Sequence, residues 1–336
     1  MTVPFLQVSR DAAQALTEFS DEFRTALQLG DFDLWAAQHG LVRSTDALRT
    51  IFPIPLSAAG YHEFKGDMKY RSLYQRSLSM KSKTWQDGVE EFARVIEAPD
   101  FIDWAGQPGE MAREWLRLPN VIVMAMLEAN PLLDFYRDSD SNTASTRALF
   151  AADHPFNVLQ PALGNFTNDL TTTHADIASG KFFKDISLHY RNIKGPNGKP
   201  LGLRMSGGTF LVNPSNEIEF KEALEQDMLI RAVDNAGKID ATANVVAAAA
   251  RNNIYKGTMG YTVTDESSQV DWLYAIAAGK PGLHPWVVQQ GQVEEIVQDK
   301  SDAKYKDTLK VSISEVGQVN AAAALPHRIT RIHITG

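Results

Sequence analysis

The stretch 199–227, KPLGLRMSGGTFLVNPSNEIEFKEALEQD, admits few local structures. Thr209-Phe210-Leu211-Val212 is a short apolar run with strand character. It must stop at Asn213-Pro214, because proline has no N–H to give a ladder. The next residues place Ile218, Phe220, Ala223 and Leu224 at helical spacing, so an amphipathic helix is expected with those four facing a core. Ser215 reads as its N-cap, and Glu217 and Glu219 fall in the first turn, where the helix dipole favours carboxylates. Strand, tight exit and helix within one window predict a mixed α and β fold.

The flanking chain supports that class. Ala12, Leu16, Phe19, Phe23, Leu27 and Leu29 recur near helical spacing, so residues 8–50 read as helices broken at Gly30 and Gly40. They form an N-terminal arm, 1–51, too thin to bury a core of its own. Phe52-Pro53-Ile54-Pro55 stops any helix. Residues 87–136 read as helical, with a long bent helix from Gln107-Pro108-Gly109 through Pro119 to Asn130-Pro131. Its Val121–Leu127 part is apolar all round and so is expected to be buried. A polar loop is expected at 138–142, a helix near 175–190, and a tight turn at Gly195-Pro196-Asn197-Gly198. Strands are expected at 254–261, 272–276 and 286–289. Leu309, Val311 and Ile313 alternate with polar residues, and Ile332 and Ile334 close a last strand. These last two strands are expected to pair antiparallel on the bent helix.

Between arm and long helix, residues 52–86 turn basic. Lys65, Lys69, Arg71, Arg76, Lys81 and Lys83 outnumber Glu63 and Asp67. Ser77–Lys81 alternates as a strand does, and Gly66-Asp67 is a turn candidate, so a long β-hairpin is expected. A strand of ~15 residues at roughly 3.3 Å each reaches about 50 Å, farther than a small domain needs. Such a ribbon is marginal alone and wants a partner surface. The acidic stretches 90–114 and 217–227 of a second copy would supply one, since self-association by charge needs both signs in one chain.

Composition removes other functions. With 336 residues the chain can bury a large core, as one domain or two. It has no cysteine, so disulfides, thiolate metal sites and cysteine nucleophiles are excluded. A net charge of −8 argues against sequence-specific nucleic-acid binding. No apolar run approaches the roughly 20 residues that span a bilayer, and Met1–Phe5 lacks the pattern of a signal peptide, so no membrane partner is expected. The best acid–base candidate is Asp153-His154, with Asp185 and His189 one helical turn apart; a soluble hydrolase using Asp153 and His154 is the alternative of a different class. Gly195–Pro200 has the wrong spacing for a phosphate loop. His62, His174, His284 and His327 lack metal-ligand spacing. No catalytic residue, metal or cofactor is expected.

Three stretches carry a family resemblance. They are Leu149-Phe150-Ala151-Ala152-Asp153-His154-Pro155-Phe156-Asn157, the strand-to-helix step 207–220, and the tail from Trp286-Val287-Val288-Gln289 through Asp299-Lys300-Ser301-Asp302 to Leu325-Pro326-His327-Arg328. With the order of arm, hairpin, bent helix and closing strands, they resemble the HK97-like capsid fold of tailed phages, nearest to the Mu-like major head subunit family, over roughly 52–336. The resemblance implies an α+β fold with an N-terminal arm (1–51), an extended loop (52–86), a peripheral domain with a spine helix (87–144 and 296–336) and an axial domain (145–295). It implies a major capsid protein that assembles into pentamers and hexamers of an icosahedral virion shell around double-stranded DNA, without sequence specificity, in the host cytoplasm. A scaffolding protein and a portal, with a decoration protein as a further option, are the implied partners. Lys65, Lys69, Arg71, Arg76, Lys81 and Lys83 become the inter-subunit contacts. An encapsulin-like cargo shell is the nearest alternative.

Overall fold

The computed structural model describes residues 12–30, 34–45, 47, 49–55, 75–97, 106–133, 147–156, 161–195, 198–233, 247–278 and 284–335. In chain order these form α1 (Ala12–Leu29), α2 (Trp35–His39), β1 (Leu41–Ser44), β2 (Arg49–Pro55), β3 (Gln75–Lys81), β4 (Thr84–Phe92), α3 (Ala93–Ile96) and α4 (Gln107–Ala129). Then come β5 (Leu132–Leu133), β6 (Arg147–Ala148), β7 (His154–Pro155), β8 (Asn165–Phe166), β9 (Asp169–Thr173), α5 (His174–Ala178), α6 (Lys181–Asn192), β10 (Arg204–Val212) and α7 (Glu217–Glu225). Last are β11 (Met228–Val233), β12 (Ala247–Asn252), β13 (Gly260–Val263), β14 (Trp272–Ala278), β15 (Trp286–Gln290), β16 (Glu294–Gln298), α8 (Ala303–Thr308), β17 (Lys310–Ala323) and β18 (Ile329–Thr335).

The fold is α+β. Two five-stranded sheets organise it. One runs β13-β10-β14-β18-β9, with β10–β13 and β18–β9 parallel and the inner pairs antiparallel. Its central strand β14 is apolar on both faces because both faces are covered. Leu273, Ala275, Ile332 and Ile334 face Phe182, Phe183 and Phe220 of α6 and α7, while Leu211, Tyr274, Ile276 and Ile329 face the apolar side of α4. The second sheet is built on β17, whose residues 310–318 pair β4, 312–316 pair β16 and 319–323 pair β15. Alternation along β17 sends Val311 and Ile313 to α1 and the first turns of α4, and Val319 and Ala323 to the later turns of α4.

The long helix behaves as its sequence dictates. Pro108 enters in the first turn, where its missing N–H is harmless, and Asn130 ends the helix in the left-handed region at φ 46°. Pro119 sits inside, so the Trp115 carbonyl loses its helical donor. Ile122, Val123, Met124 and Leu127 are buried but Val121 and Ala125 are exposed, so this stretch has one open face rather than none. The arm helix α1 packs Ala12, Leu16, Phe19 and Phe23 against Met111, Ala112, Val311 and Ile313.

Several expectations need correcting. Ser215 is not the helix cap: Asn213 caps a 3-10 turn, Pro214–Asn216, its Oδ1 accepting from the Ser215 N–H at 3.0 Å, and the α-helix follows from Asn216 with no side-chain cap. Ile218 is 72% exposed, while Phe220, Ala223 and Leu224 are buried. Residues 41–44 and 49–50 are strand, not helix, because Leu41–Ser44 pair in parallel with Val287–Gln290 and Arg49 and Thr50 pair with Lys81 and Met80. Residues 87–92 belong to β4, held by pairing with Lys310–Glu315. Residues 254–257 form a turn, with strand only from Gly260. β17 and β18 lie in different sheets rather than pairing, and Leu309 ends α8 with a positive φ of 57°. The loop 138–142 lies outside the described residues.

Candidate assembly interface

The basic hairpin is a two-stranded ribbon. β2 and β3 pair antiparallel from Arg49↔Lys81 to Pro55↔Gln75. Pro53 and Pro55 give β2 two positions without a backbone N–H. The base is anchored by Phe52 and Met80, both 3% exposed, against Val287, Ala324 and Leu325. Ile51, on the opposite side of β2, is 61% exposed.

Polar contacts hold the exit of the ribbon onto β17. The Asn320 Nδ2 donates to the Lys81 carbonyl at 2.6 Å, the Val319 N–H to the Lys83 carbonyl at 3.0 Å, and the Trp85 Nε1 to the Val319 carbonyl at 2.9 Å. Lys81 and Lys83 are exposed there. Arg76 lies in β3 opposite Ile54. Lys65, Lys69 and Arg71, with the turn candidate Gly66-Asp67, lie outside the described residues. The structure thus joins Lys81 and Lys83 at a rigid base.

The acidic stretches are less free than composition suggests. Glu90 pairs with Lys310 at 3.0 Å, Glu110 with Arg113 at 3.2 Å, Glu114 with Arg117 at 3.8 Å, and Glu97 with Lys300. On α7, Glu219 meets His174 at 2.8 Å and Glu225 accepts from the Tyr261 hydroxyl at 2.8 Å. Exposed Glu222 has no ion-pair partner among the described residues. No three His, Asp or Glu among the described residues stand where they could hold a metal.

Asp153 and His154 face different ways. Asp153 Oδ2 meets Arg147 Nη2 at 2.9 Å on the surface. His154 is fully buried, with Nε2 3.0 Å from the Leu149 carbonyl and its ring stacked on Phe166 at 5.1 Å. Burial disfavours its imidazolium and holds its pKa down at about 4. Asp185 is exposed on α6, and burial lowers the pKa of His189. His327, edge-on to the same Phe166, is pushed down to about 3 by burial and by the Arg328 charge.

Two features escaped the sequence reading. Asn168 is fully buried and its Nδ2 donates to the carbonyls of Leu149, Pro326 and Ile329, tying the 149–157 segment to the final turn. The other is a row of carboxylates across three strands, Asp87↔Glu315↔Glu295. The signal for it was present: Glu315 continues the inward phase of Val311 and Ile313.

No protein-family model and no curated protein matches the chain. Among solved structures the chain is similar to a virus-like particle from Pyrococcus furiosus, at 10% identity over 94% of this chain and 100% of that one, with a TM-score of 0.48. It is also similar to a chain of Mycobacterium phage Patience, at 10% identity over 97% and 89% of the two chains and a TM-score of 0.47. A third likeness is to the capsid of the cyanophage P-SCSP1u, at 9% identity over 88% and 86%, with a TM-score of 0.49.

Proposed function

We propose that this chain is a shell-forming subunit of the HK97-like architecture, the major capsid protein of a tailed phage in the Mu-like group. The observation that carries the reading is the ribbon β2–β3, anchored to the body by Phe52 and Met80 while Ile51 stays open. A two-stranded ribbon is not stable in water by itself, so a long one calls for a surface beyond its own strands. Its basic charge, in a chain of net −8, fits an acidic neighbour of the same kind. The arm α1 packed along a long helix, the strand β17 that serves several partners, and the sequence stretches 149–157, 207–220 and 286–328 support the same assignment.

On this reading 52–86 is the extended loop, 87–144 and 296–336 the peripheral domain, and 145–295 the axial domain. Subunits form pentamers and hexamers of a closed shell around double-stranded DNA, with a scaffolding protein and a portal assisting assembly in the host cytoplasm. The role is structural and uses no catalytic residue. Electron microscopy with sedimentation of the purified protein tests it: closed particles of repeating rings are expected, and monomer alone under all salt and crowding conditions overturns it. Nuclease-protected DNA inside particles from infected cells separates a virion shell from an encapsulin-like cargo shell.

A further inference from the structure

Glu315 occupies a core position. Along β17 the inward residues are Val311, Ile313, Glu315, Gly317 and Val319. Glu315 is 5% exposed, and neither carboxyl oxygen has a hydrogen-bond partner among the described residues. Directly opposite on β16 stands Glu295, with Oε1 also buried and unpartnered and Oε2 taken by Arg24 Nη2 of α1 at 2.6 Å. Directly opposite on β4 stands Asp87, exposed, with Oδ1 accepting from the Gly88 N–H. Side chains opposite one another on adjacent strands are about 5 Å apart at Cβ. Three carboxylates therefore share one short row, with Glu315 buried and Glu295 largely so.

Among the described residues the surroundings supply one cation, Arg24. From α1 come Arg24 and the exposed Asp21 and Glu22. From β4 come Asp87 and Glu91, with Glu90 already on Lys310; from β16 come Glu294 and Glu295. α4 packs on this strand through Trp115, and its Glu110–Arg113 and Glu114–Arg117 pairs are spent on each other and on Glu266. An open pocket of about 440 Å³, lined by Phe23, Arg24, Leu27, Val293, Glu294 and Glu295, lies between the later turns of α1 and the start of β16, so this part of the helix seat is not tightly filled.

We propose that Glu315 and Glu295 form a proton-operated latch that seats the N-terminal helix α1 on the sheet. With a proton on Glu315, its O–H can donate to the free Glu295 oxygen, and the pair carries the single negative charge that Arg24 balances. Without the proton, the buried Glu315 charge lies beside that of Glu295 with Arg24 as the cation at hand among the described residues, and water reaches Glu315 where α1 lifts away from β16. Burial first, then the charges of Glu295 and Asp87, push the Glu315 pKa up to about 7 from the ordinary carboxylate range. The sign follows: the seated state keeps a proton that the lifted state releases. Seating is strongest below the ordinary carboxylate pKa, weakens as pH rises from there toward 7, and is level above.

The test is amide hydrogen exchange of α1 in the full-length protein at pH 5 and pH 8, corrected for intrinsic exchange rates. Opening of α1 should rise roughly 10- to 100-fold at the higher pH. In Glu315→Gln, which keeps a donor and cannot ionise, the rise should vanish. Equal opening of wild-type α1 at the two pH values overturns the latch, as does a Glu315→Gln variant that follows the wild-type profile. If that variant does not fold, a ¹³C titration of wild-type carboxyls decides: one group titrating near 7 supports the latch, and all groups titrating below 5 overturns it.

Discussion

Gly317 leaves no room for an added methyl. A Cβ there would run into the indole of Trp115, which packs α4 onto β17 at this point. Gly317→Ala should cost about 1–3 kcal/mol by overpacking, despite the better strand propensity of alanine, and urea denaturation would read the loss. Substitution to serine should do no better. At the same scale, His154 makes stability depend on acid. Its folded pKa of about 4 lies below the ordinary 6.5, so the unfolded chain takes up a proton that the folded one refuses. Stability should therefore fall as pH drops from about 6.5 toward 4, with His154 alone contributing about 2 kcal/mol by pH 4.5. Urea midpoints at pH 7 and 4.5 should converge in His154→Gln relative to wild type. An unchanged acid slope in that variant would place the effect elsewhere. None of this was visible as a role in the sequence, where Asp153-His154 reads as an acid–base pair and the structure turns the two side chains apart.

At the scale of elements, the ribbon β2–β3 lets the proposed assembly role be tested apart from folding. Its base residues Phe52 and Met80 belong to the core; residues 56–74 connect the strands beyond that anchor. Replacing 56–74 by a short Gly-Ser turn should shift Tm by no more than about 2 °C, because no buried contact of the described body is removed. The same variant should form no particles. Particles of normal yield would show that the ribbon is dispensable. The ribbon was legible because proline, alternation and charge are all local signals. β4 was not. Thr84–Phe92 carries three carboxylates and a glycine, and only its register against Lys310–Gln318 makes it a strand. The alanine run 247–250 tells the same story: alanine favours helix, yet these residues pair with Ile230–Val233 in β12.

For the whole molecule the governing quantity is how charge is distributed. Many described acidic residues are paired within the chain, which leaves the basic ribbon as a locally unbalanced feature. Reversing several of its charges together, as in Lys65→Glu, Lys69→Glu and Arg71→Glu, should block shell closure at low salt. Single reversals should do little, since exposed pairs contribute about 0–1 kcal/mol each. A shell repeats each contact in every subunit, so small losses compound. The difference between variant and wild type should shrink in high salt, as attractions beyond roughly 8–10 Å are screened. Light scattering during assembly would follow both. Equal assembly of the triple variant at low salt would mean that apolar packing or backbone pairing holds the ribbon.

What the sequence by itself determined is what neighbours along the chain can enforce. Pro108 and Asn130 bound α4, Asn213-Pro214 ends β10, and the two-residue period of Val311 and Ile313 marks β17, because breakers and periods act within a few residues. What only the tertiary structure decided is who pairs with whom. β17 and β18 read as partners yet enter different sheets, since strand pairing is set by the apolar area each face can bury against distant segments. Ser215 caps nothing for a related reason: a 3-10 turn capped by Asn213 fits between strand and helix, and the α-helix begins after Asn216 without a side-chain cap. Glu315 is the sharpest case. Its place in the alternation was written in the chain, but its burial opposite Glu295 and beneath α1 exists only once three strands and a helix have come together.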